Sequence, residues 1–332
     1  MINKMLNFAM FGAGRIGQVH AKALNLVDGA QLVAVADLSE DAAASVTQIT
    51  GAKHSSVEVI LSDSTIDAVI IASPTHLHAQ QIEQVAKAGK HIFCEKPIDL
   101  ELDKVTEVAE IVEDSKVFFM LGFNRRFDVH FLQLKHQLDA GVIGNIESIH
   151  ITSRDPQPPS IEYAKTSGGL FRDMTIHDFD MARYLLGEEF SDIQASGATL
   201  IDPEFEQLED IDTAVVVLKS VSGKLVSISN SRRACYGYDQ RIEVHGSAGL
   251  LIADNPTHTT LMSANQSGYR TEPLMDFFLD RYRLAYQHEL QSFVSGLNGA
   301  ELQLPNCTDG VRALELAEAA LESLKTQQTV HL

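Results

Sequence analysis

The stretch Asn7-Phe8-Ala9-Met10-Phe11-Gly12-Ala13-Gly14-Arg15-Ile16-Gly17 decides the fold of this chain. It opens as an apolar run that reads as a buried strand and closes on three glycines spaced G-x-G-x-x-G. A helical pattern follows from Arg15 to Leu26. A second apolar run, Gln31 to Ala36, ends on Asp37, twenty residues past Gly17. Strand, glycine turn, helix, strand and acid in this order make a dinucleotide fingerprint in the context it requires. Gly12 allows the tight turn, Gly14 lets the backbone approach a pyrophosphate, and Gly17 lets helix and strand pack closely. Arg15 and Ile16 open the helix, whose N-terminal N–H groups face the phosphates. The competing reading is a tight turn in a ligand-free α/β domain.

Asp37 selects the dinucleotide. A carboxylate there accepts hydrogen bonds from a ribose 2′-hydroxyl and repels a 2′-phosphate. Leu38 follows, and no arginine stands there to neutralise that phosphate, so the expected cofactor is NAD rather than NADP. The alternative is a strand-end acid that only caps the helix starting near Glu40.

The wider chain agrees with an enzyme of ordinary composition. Its 332 residues suggest two domains, and 45% hydrophobic with 21% charged residues is usual for a soluble protein. A formal net charge of -19 argues against a nucleic-acid partner. No apolar run reaches the length of a membrane span, and the N-terminus, with one early lysine (Lys4), lacks a signal-peptide layout. Cys94, Cys235 and Cys307 lie far apart with no metal-type spacing, which suits free thiols in a reducing cytoplasm and no metal.

Strands are expected near 6–11, 31–36, 68–72, 91–94 and 117–121, alternating with helices near 15–26, 40–49, 56–62, 79–88 and 101–114. Near-continuous apolar runs such as Ala68-Val69-Ile70-Ile71-Ala72 suit a parallel sheet covered on both faces. This predicts a doubly wound Rossmann domain over 1–123. Past Phe123 the pattern changes. A helix near 126–140, a strand near 145–154, a polar Pro-rich loop and a helix near 175–186 precede strands near 192–200, 211–219, 225–233, 239–246 and 249–253. Ser222-Gly223 marks a hairpin. Strands in succession predict a second α/β domain over 124–332 with a large, open, mostly antiparallel sheet. Helices near 277–297 and 309–325 close the chain.

Three segments carry candidate chemistry. Ser73-Pro74-Thr75-His76-Leu77-His78 follows the third strand, at a carboxyl end where ligands bind in open α/β sheets. Ser73, Thr75 and His78 are therefore candidates for cofactor contact, against a simple N-cap turn. Glu95-Lys96-Pro97 also lies at a carboxyl end. Lysine is costly to desolvate unless used or paired, and the proline restricts Lys96 to extended backbone. Lys96 there can stabilise a developing alkoxide; the alternative is a surface ion pair between Glu95 and a nearby base, and spacing does not separate the two. In the segment Gly168 to Asp180, Asp173 and His177 stand four apart, on one face of a helix. A carboxylate can fix an imidazole tautomer for proton abstraction. Asp180 is a further contact, and no second histidine or cysteine supports a metal.

The glycine fingerprint, Ala88-Gly89-Lys90-His91, Glu95-Lys96-Pro97, the Gly168-Gly169…Asp173…His177…Asp180 segment and His245-Gly246-Ser247-Ala248-Gly249 recur in this order in one family. The whole chain thus resembles the glucose–fructose oxidoreductase/inositol dehydrogenase (Gfo/Idh/MocA) family. Within it, Asp173 to Asp180, Gly122 to Asp128 and Tyr236 to Arg241 are most similar to inositol-oxidising members. The resemblance implies NAD-dependent oxidation of a ring secondary alcohol of a cyclitol, foremost myo-inositol. It implies Lys96, Asp173 and His177 as the catalytic group, with Arg125, Asp155, Tyr236 and Tyr282 lining a polyol pocket and Glu95 in the cofactor set. It further implies a homo-oligomer, tetramer or dimer, built through the second-domain sheet. Another inositol isomer, an aldose such as glucose, or a keto-sugar reduction are the rival reactions. A non-catalytic sugar- or NAD-sensing regulator predicts loss of Lys96 or His177, and both are present.

Overall fold

The computed structural model describes residues 5–332, so the early lysine noted above lies outside the described residues. Two compact units form. One runs up to Phe127 and takes in Leu284–Leu314; the other comprises Asp128–Arg283 and Glu315–Leu332.

In the first unit, β1 (Leu6–Phe11), β2 (Ala30–Ala36), β3 (Lys53–His54), β4 (Ala68–Ile71), β5 (His91–Glu95) and β6 (Phe119–Gly122) form a six-stranded sheet. Its order is β3-β2-β1-β4-β5-β6 and every pairing is parallel. This is the doubly wound dinucleotide order. The helices α1 (Arg15–Leu24), α2 (Glu40–Thr50), α3 (Val57–Ser62), α4 (His78–Lys87) and α5 (Leu102–Ser115) connect the strands. All four residues of β4 are buried, as a strand covered on both faces demands. Because all strands run one way, the turns after β1, β2, β4 and β5 emerge at one edge. That edge carries Gly12, Asp37, Ser73 and Lys96.

The second unit contains α6 (Val129–Asp139), β7 (Ile146–Arg154), α7 (Ile161–Ser167), a π-helical turn (Phe171–Thr175) and α8 (Ile176–Leu186). It continues with β8 (Phe190–Ala198), α9 (Glu204–Gln207), β9 (Thr213–Ser220), β10 (Leu225–Ser231), β11 (Asp239–Gly246) and β12 (Gly249–Ala253). A small hairpin, β13 (Met262–Asn265) and β14 (Gly268–Thr271), is followed by α10 (Phe278–Arg281); the chain then returns to the first unit with α11 (Arg283–Leu297) and the start of α12 (Cys307–Thr326), and the rest of α12 and β15 (Val330–His331) belong to the second. The sheet order is β12-β11-β7-β10-β9-β8-β15, antiparallel except for the parallel β7–β10 pair. Alternation sets its faces: Ala214, Val216 and Leu218 of β9 are buried while Val215 and Val217 are exposed. Gly223 takes φ +93 in the β9–β10 turn, as the Ser-Gly signal requires.

Several elements differ from the sequence expectation. The Pro-rich segment after β7 contains α7, begun by Ser160, whose hydroxyl accepts from Tyr163 N–H at 3.4 Å. The strand expected to reach 233 ends at Ser231. The β13–β14 hairpin and β15 carry too little apolar alternation to announce themselves. The helix expected over 277–297 is two, interrupted at Tyr282. The residue before that break, Arg281, forms a bidentate pair with Asp128, which itself caps α6 by accepting from His130 and Phe131 N–H. Both partners of the pair are buried. Arg281→Leu leaves the Asp128 carboxylate buried without its cation. We expect a loss of about 3–5 kcal/mol in urea unfolding; a loss under about 1 kcal/mol would refute this account of the break.

Candidate functional site

The glycine turn is held by its own crowding. Gly12 sits at φ +90, and a Cβ there would lie 2.5 Å from Ser73 N. A Cβ on Gly17 would meet Gly12 O at 2.2 Å. Gly14 is different: a Cβ there meets nothing within 4 Å. Gly14 is also the N-cap of α1, without a side-chain cap, and the first turn holds no acid. The first internal bond of the helix is Gln18 N–H to Gly14 O at 3.0 Å. The preceding N–H groups thus point out of the helix end, toward open space fit for an anionic pyrophosphate.

Asp37 fastens this turn. One carboxylate oxygen accepts from Ala13 N–H at 2.6 Å and the other from Ser39 N–H at 2.7 Å. A carboxylate has about four acceptor positions, so capacity remains for a ribose hydroxyl. The cap of α2 is Ser39, whose hydroxyl accepts from Ala42 N–H at 3.2 Å. Leu38, beside it, is fully exposed. The residues present fit a dinucleotide with a free 2′-hydroxyl.

Behind the sheet edge, His78 is a brace. Its Nδ1 lies 2.8 Å from Pro97 O and its Nε2 2.8 Å from Ser73 O. Burial pulls the ring below its ordinary imidazole value, while both carbonyl contacts and the charges of Glu95 and Asp99 act in the opposite direction. Ser73 Oγ donates to Gln81 Oε1 at 2.6 Å, and Thr75 opens a short 3-10 turn over Thr75–Leu77. Glu95 is not in a surface ion pair. Its Oε1 lies 2.6 Å from Nε2 of the fully buried His20, and its Oε2 accepts from Lys96 N–H at 3.2 Å. Lys96 is half-buried, with buried Pro97 next to it in a cis peptide.

In the second unit, Asp173 falls in the π-helical turn and His177 in the first turn of α8. Both are half-buried, while Met174, Thr175 and Ile176 between them are buried. They therefore share the accessible side of this segment. Asp173 is held from two directions: Tyr163 OH donates to Oδ1 at 2.8 Å, and Arg232 lies 3.3 Å from Oδ2. Arg232 is 1% exposed and stacks over Phe205 at 5.5 Å. Beneath, Thr175 Oγ1 donates to Asn230 Oδ1, and Asn230 Nδ2 donates to Asp178 Oδ2, both at 2.8 Å. Sequence reasoning missed Tyr163 and Arg232. Tyr163 lay in a segment read as loop, and Arg232 was hidden inside a strand read too long.

The remaining expected residues fall on separate elements of the two units. Arg125 is buried in a 3-10 turn after β6. Asp155 donates its backbone N–H to Ser231 O at 2.9 Å. Tyr236 lines an open pocket of about 540 Å³ with Asp239, Arg241 and Asn255. Its hydroxyl accepts from Arg154 at 2.9 Å and donates to Asp239 at 2.8 Å. Burial alone would raise the Asp239 carboxyl, but hydrogen bonds from Arg241, Asn255 and Tyr236 hold it below the usual range. Tyr282 is buried, edge-on to Tyr238 with ring centroids 6.0 Å apart.

Residues 6–123 match the model of an oxidoreductase family with an NAD-binding Rossmann fold, and 131–252 match the GFO/IDH/MocA C-terminal domain. The chain belongs to the Gfo/Idh/MocA family of oxidoreductases. Among its members, an inositol 2-dehydrogenase of Rhizobium meliloti is 48% identical over 98% of this chain and 99% of that protein. A myo-inositol 2-dehydrogenase of Thermotoga maritima is 43% identical over 98% of each. The crystal structure of scyllo-inositol dehydrogenase from Lactobacillus casei with bound NAD(H) and scyllo-inositol is 29% identical, with a TM-score of 0.91 over 99% of each chain. The first domain of this Gfo/Idh/MocA protein is thus an NAD-binding domain.

The two glycines make opposite predictions. Gly12→Ala must force Cβ into the Ser73 backbone, so it is expected to lower stability by more than about 3 kcal/mol or to abolish soluble expression. Gly14→Ala has room and an ordinary φ of -64, so its unfolding free energy should stay within about 1 kcal/mol of wild type. It should nevertheless weaken NADH binding, read by fluorescence, at least about tenfold. Unchanged NADH binding in Gly14→Ala would remove the pyrophosphate from this turn.

Proposed function

We propose that this protein is an NAD-dependent inositol 2-dehydrogenase that oxidises the ring secondary alcohol of myo-inositol to 2-keto-myo-inositol (scyllo-inosose). The observation that carries this reading is full-length similarity to proteins named for inositol oxidation, on a chain that carries Lys96, Asp173 and His177. The pyrophosphate belongs at Gly12, Gly14, Arg15, Ile16 and Gly17, and the adenosine ribose at Asp37. Ser73, Thr75, His78 and Glu95 form the rest of the cofactor edge. When bound, NAD+ supplies the acceptor for the hydride leaving the substrate carbon.

The protein's own task is to manage one proton and one developing charge. His177 takes the hydroxyl proton, since an imidazole titrates near neutrality. Asp173, itself oriented by Tyr163 and Arg232, fixes the ring for that transfer. Lys96 donates to the same oxygen and stabilises negative charge on it. Arg125, Asp155, Tyr236 and Tyr282 are assigned to the remaining hydroxyls of the polyol, which need both donors and acceptors.

The protein acts as a homo-oligomer, tetramer or dimer, through the outward face of the second unit's sheet. Val215, Val217 and Leu225 on β9 and β10, and Leu250 and Ile252 on the edge strand β12, are each 46–59% exposed on that face, and these aliphatic side chains support the reading of that face as an interface. A cytoplasmic setting suits its thiols: Cys94 and Cys307 are buried, and burial pushes the Cys307 thiol up to about 12.

Reduced-cofactor absorbance with myo-, scyllo- and chiro-inositol, glucose and galactose, each with NAD+ and NADP+, tests the substrate. Turnover of myo-inositol with NAD+ is expected; turnover of an aldose alone would sink the inositol reading, and a preference for NADP+ would sink the role of Asp37. Lys96→Met and His177→Ala should each lower kcat at least about a hundredfold and change the pH profile. Near-full turnover with the wild-type pH limb in both would overturn the site. Light scattering should give a mass that is a multiple of the monomer, reduced to one chain by Val217→Glu.

A further inference from the structure

Glu289, on α11, is a carboxyl group with zero exposure and no hydrogen-bond partner at either oxygen. Its Oε1 lies 3.9 Å from Nδ1 of His20, a ring also fully buried and likewise without a partner at Nδ1. The other ring nitrogen of His20 is 2.6 Å from Glu95 Oε1. Glu95 Oε2 in turn accepts from Lys96 N–H at 3.2 Å. Phe93 and Tyr286 pack edge-on to the imidazole, at 5.0 and 5.5 Å between centroids. Two carboxyls and a histidine thus cluster beside the lysine of the proposed site, His20 and Glu289 fully buried and Glu95 largely so.

The chemistry of the donors and acceptors selects one arrangement. An ionised Glu289 would be repelled by the Glu95 carboxylate and would carry the full cost of a buried charge without a hydrogen bond. A divalent cation would need bonds of about 2.0 Å to Nδ1 and to Glu289, and 3.9 Å between those atoms would place it almost on a straight line. That is far from the tetrahedral angle, and Nε2 is already committed to Glu95. A neutral Glu289 resolves both problems with a small rotation.

We propose that His20 and Glu289 form a positioning relay for Lys96, in which the neutral Glu289 carboxyl donates O–H to His20 Nδ1, His20 Nε2–H donates to Glu95, and Glu95 holds the Lys96 backbone N–H. Every link then joins a donor to an acceptor, and one negative charge remains, on Glu95. His20 and Glu289 are positioning residues; neither touches substrate. This inference rests on the reading of Lys96 as a catalytic residue. Burial, and then the charge of Glu95, push the Glu289 carboxyl well above its ordinary value. Among the described residues, the titratable groups placed against it are His20 from α1 and Glu95 from the end of β5, and Tyr286 of its own helix packs on the same imidazole. A group whose value is raised by folding stabilises the fold below its unfolded value, near 4.5. That stabilisation is lost as pH rises toward the folded value.

The test compares Glu289→Leu, which has no donor, with Glu289→Gln, which keeps one. Leucine should lower kcat about tenfold or more, with KM for NAD+ and inositol within about twofold, as loss of an orienting partner does. Glutamine should restore kcat to within about threefold and remove the loss of stability at rising pH. Equal, wild-type kcat in both would overturn the relay. If Glu289→Leu does not fold, infrared spectroscopy of the wild-type protein decides: a carboxylic-acid C=O band at neutral pH, absent from Glu289→Gln, is expected, and its absence from the wild type overturns the proposal. Lys96→Met separates the two readings. If it retains turnover, the role of Lys96 has failed; if it loses turnover while Glu289→Leu keeps it, the relay alone has failed.

Discussion

The main chain at Gly12 passes so close to Ser73 that no side chain fits between them, and the first unit is arranged around that approach. It presses the turn after β1 against the turn after β4. Asp37 then clamps the same turn from the other side, through Ala13 N–H. From Ser73 the chain of short contacts continues through His78 to the carbonyl of Pro97, next to Lys96. A candidate cofactor anchor and a candidate catalytic lysine, far apart in sequence, are thereby held by one close backbone approach and by two side chains, Asp37 and His78, fixed against backbone groups. Such rigidity is what a reacting group needs, because small misplacements cost large factors in rate.

The second unit meets the same need with two polar networks, one half-exposed at Asp173 and one buried beneath it. Asp173 is held by a neutral donor, Tyr163, and a buried cation, Arg232. The segment between Asp173 and His177 is pinned by Thr175, Asn230 and Asp178. Buried polar groups are expensive unless satisfied, and once satisfied they specify a single arrangement. The π-helical turn that carries Asp173 is a local irregularity of the kind that recurs at functional sites.

Much of the fold was legible in the sequence. Apolar runs separated by helical patterns announced the parallel sheet, since each strand is buried on both faces. Strand-like segments in succession, with the Ser222-Gly223 hairpin signal, announced β9 to β12, of which β9 to β11 alternate buried and outward residues. The fingerprint from Gly12 to Asp37 was legible because its requirements are local: glycine where φ is positive or a Cβ would clash, and an acid at the end of the next strand. Less was legible at the candidate site. Asp173 and His177 stood out by their spacing, but their supports did not. Tyr163 and Arg232 have no spacing rule, and His20 looked like one more helix residue.

The sequence by itself determined the order of elements, the dinucleotide turn, and which residue types were available for proton transfer. Those features follow from periodicity and from the steric limits of single residues. Only the tertiary structure decided that Glu95 pairs with His20, 75 residues away, and that Arg232 faces Asp173 across 59 residues. It also decided that the helical pattern over 277–297 breaks at Tyr282, next to the Arg281 that pairs with Asp128. Pairings of buried charge are set by where the packed elements bring groups together, and nothing in local spacing encodes that distance.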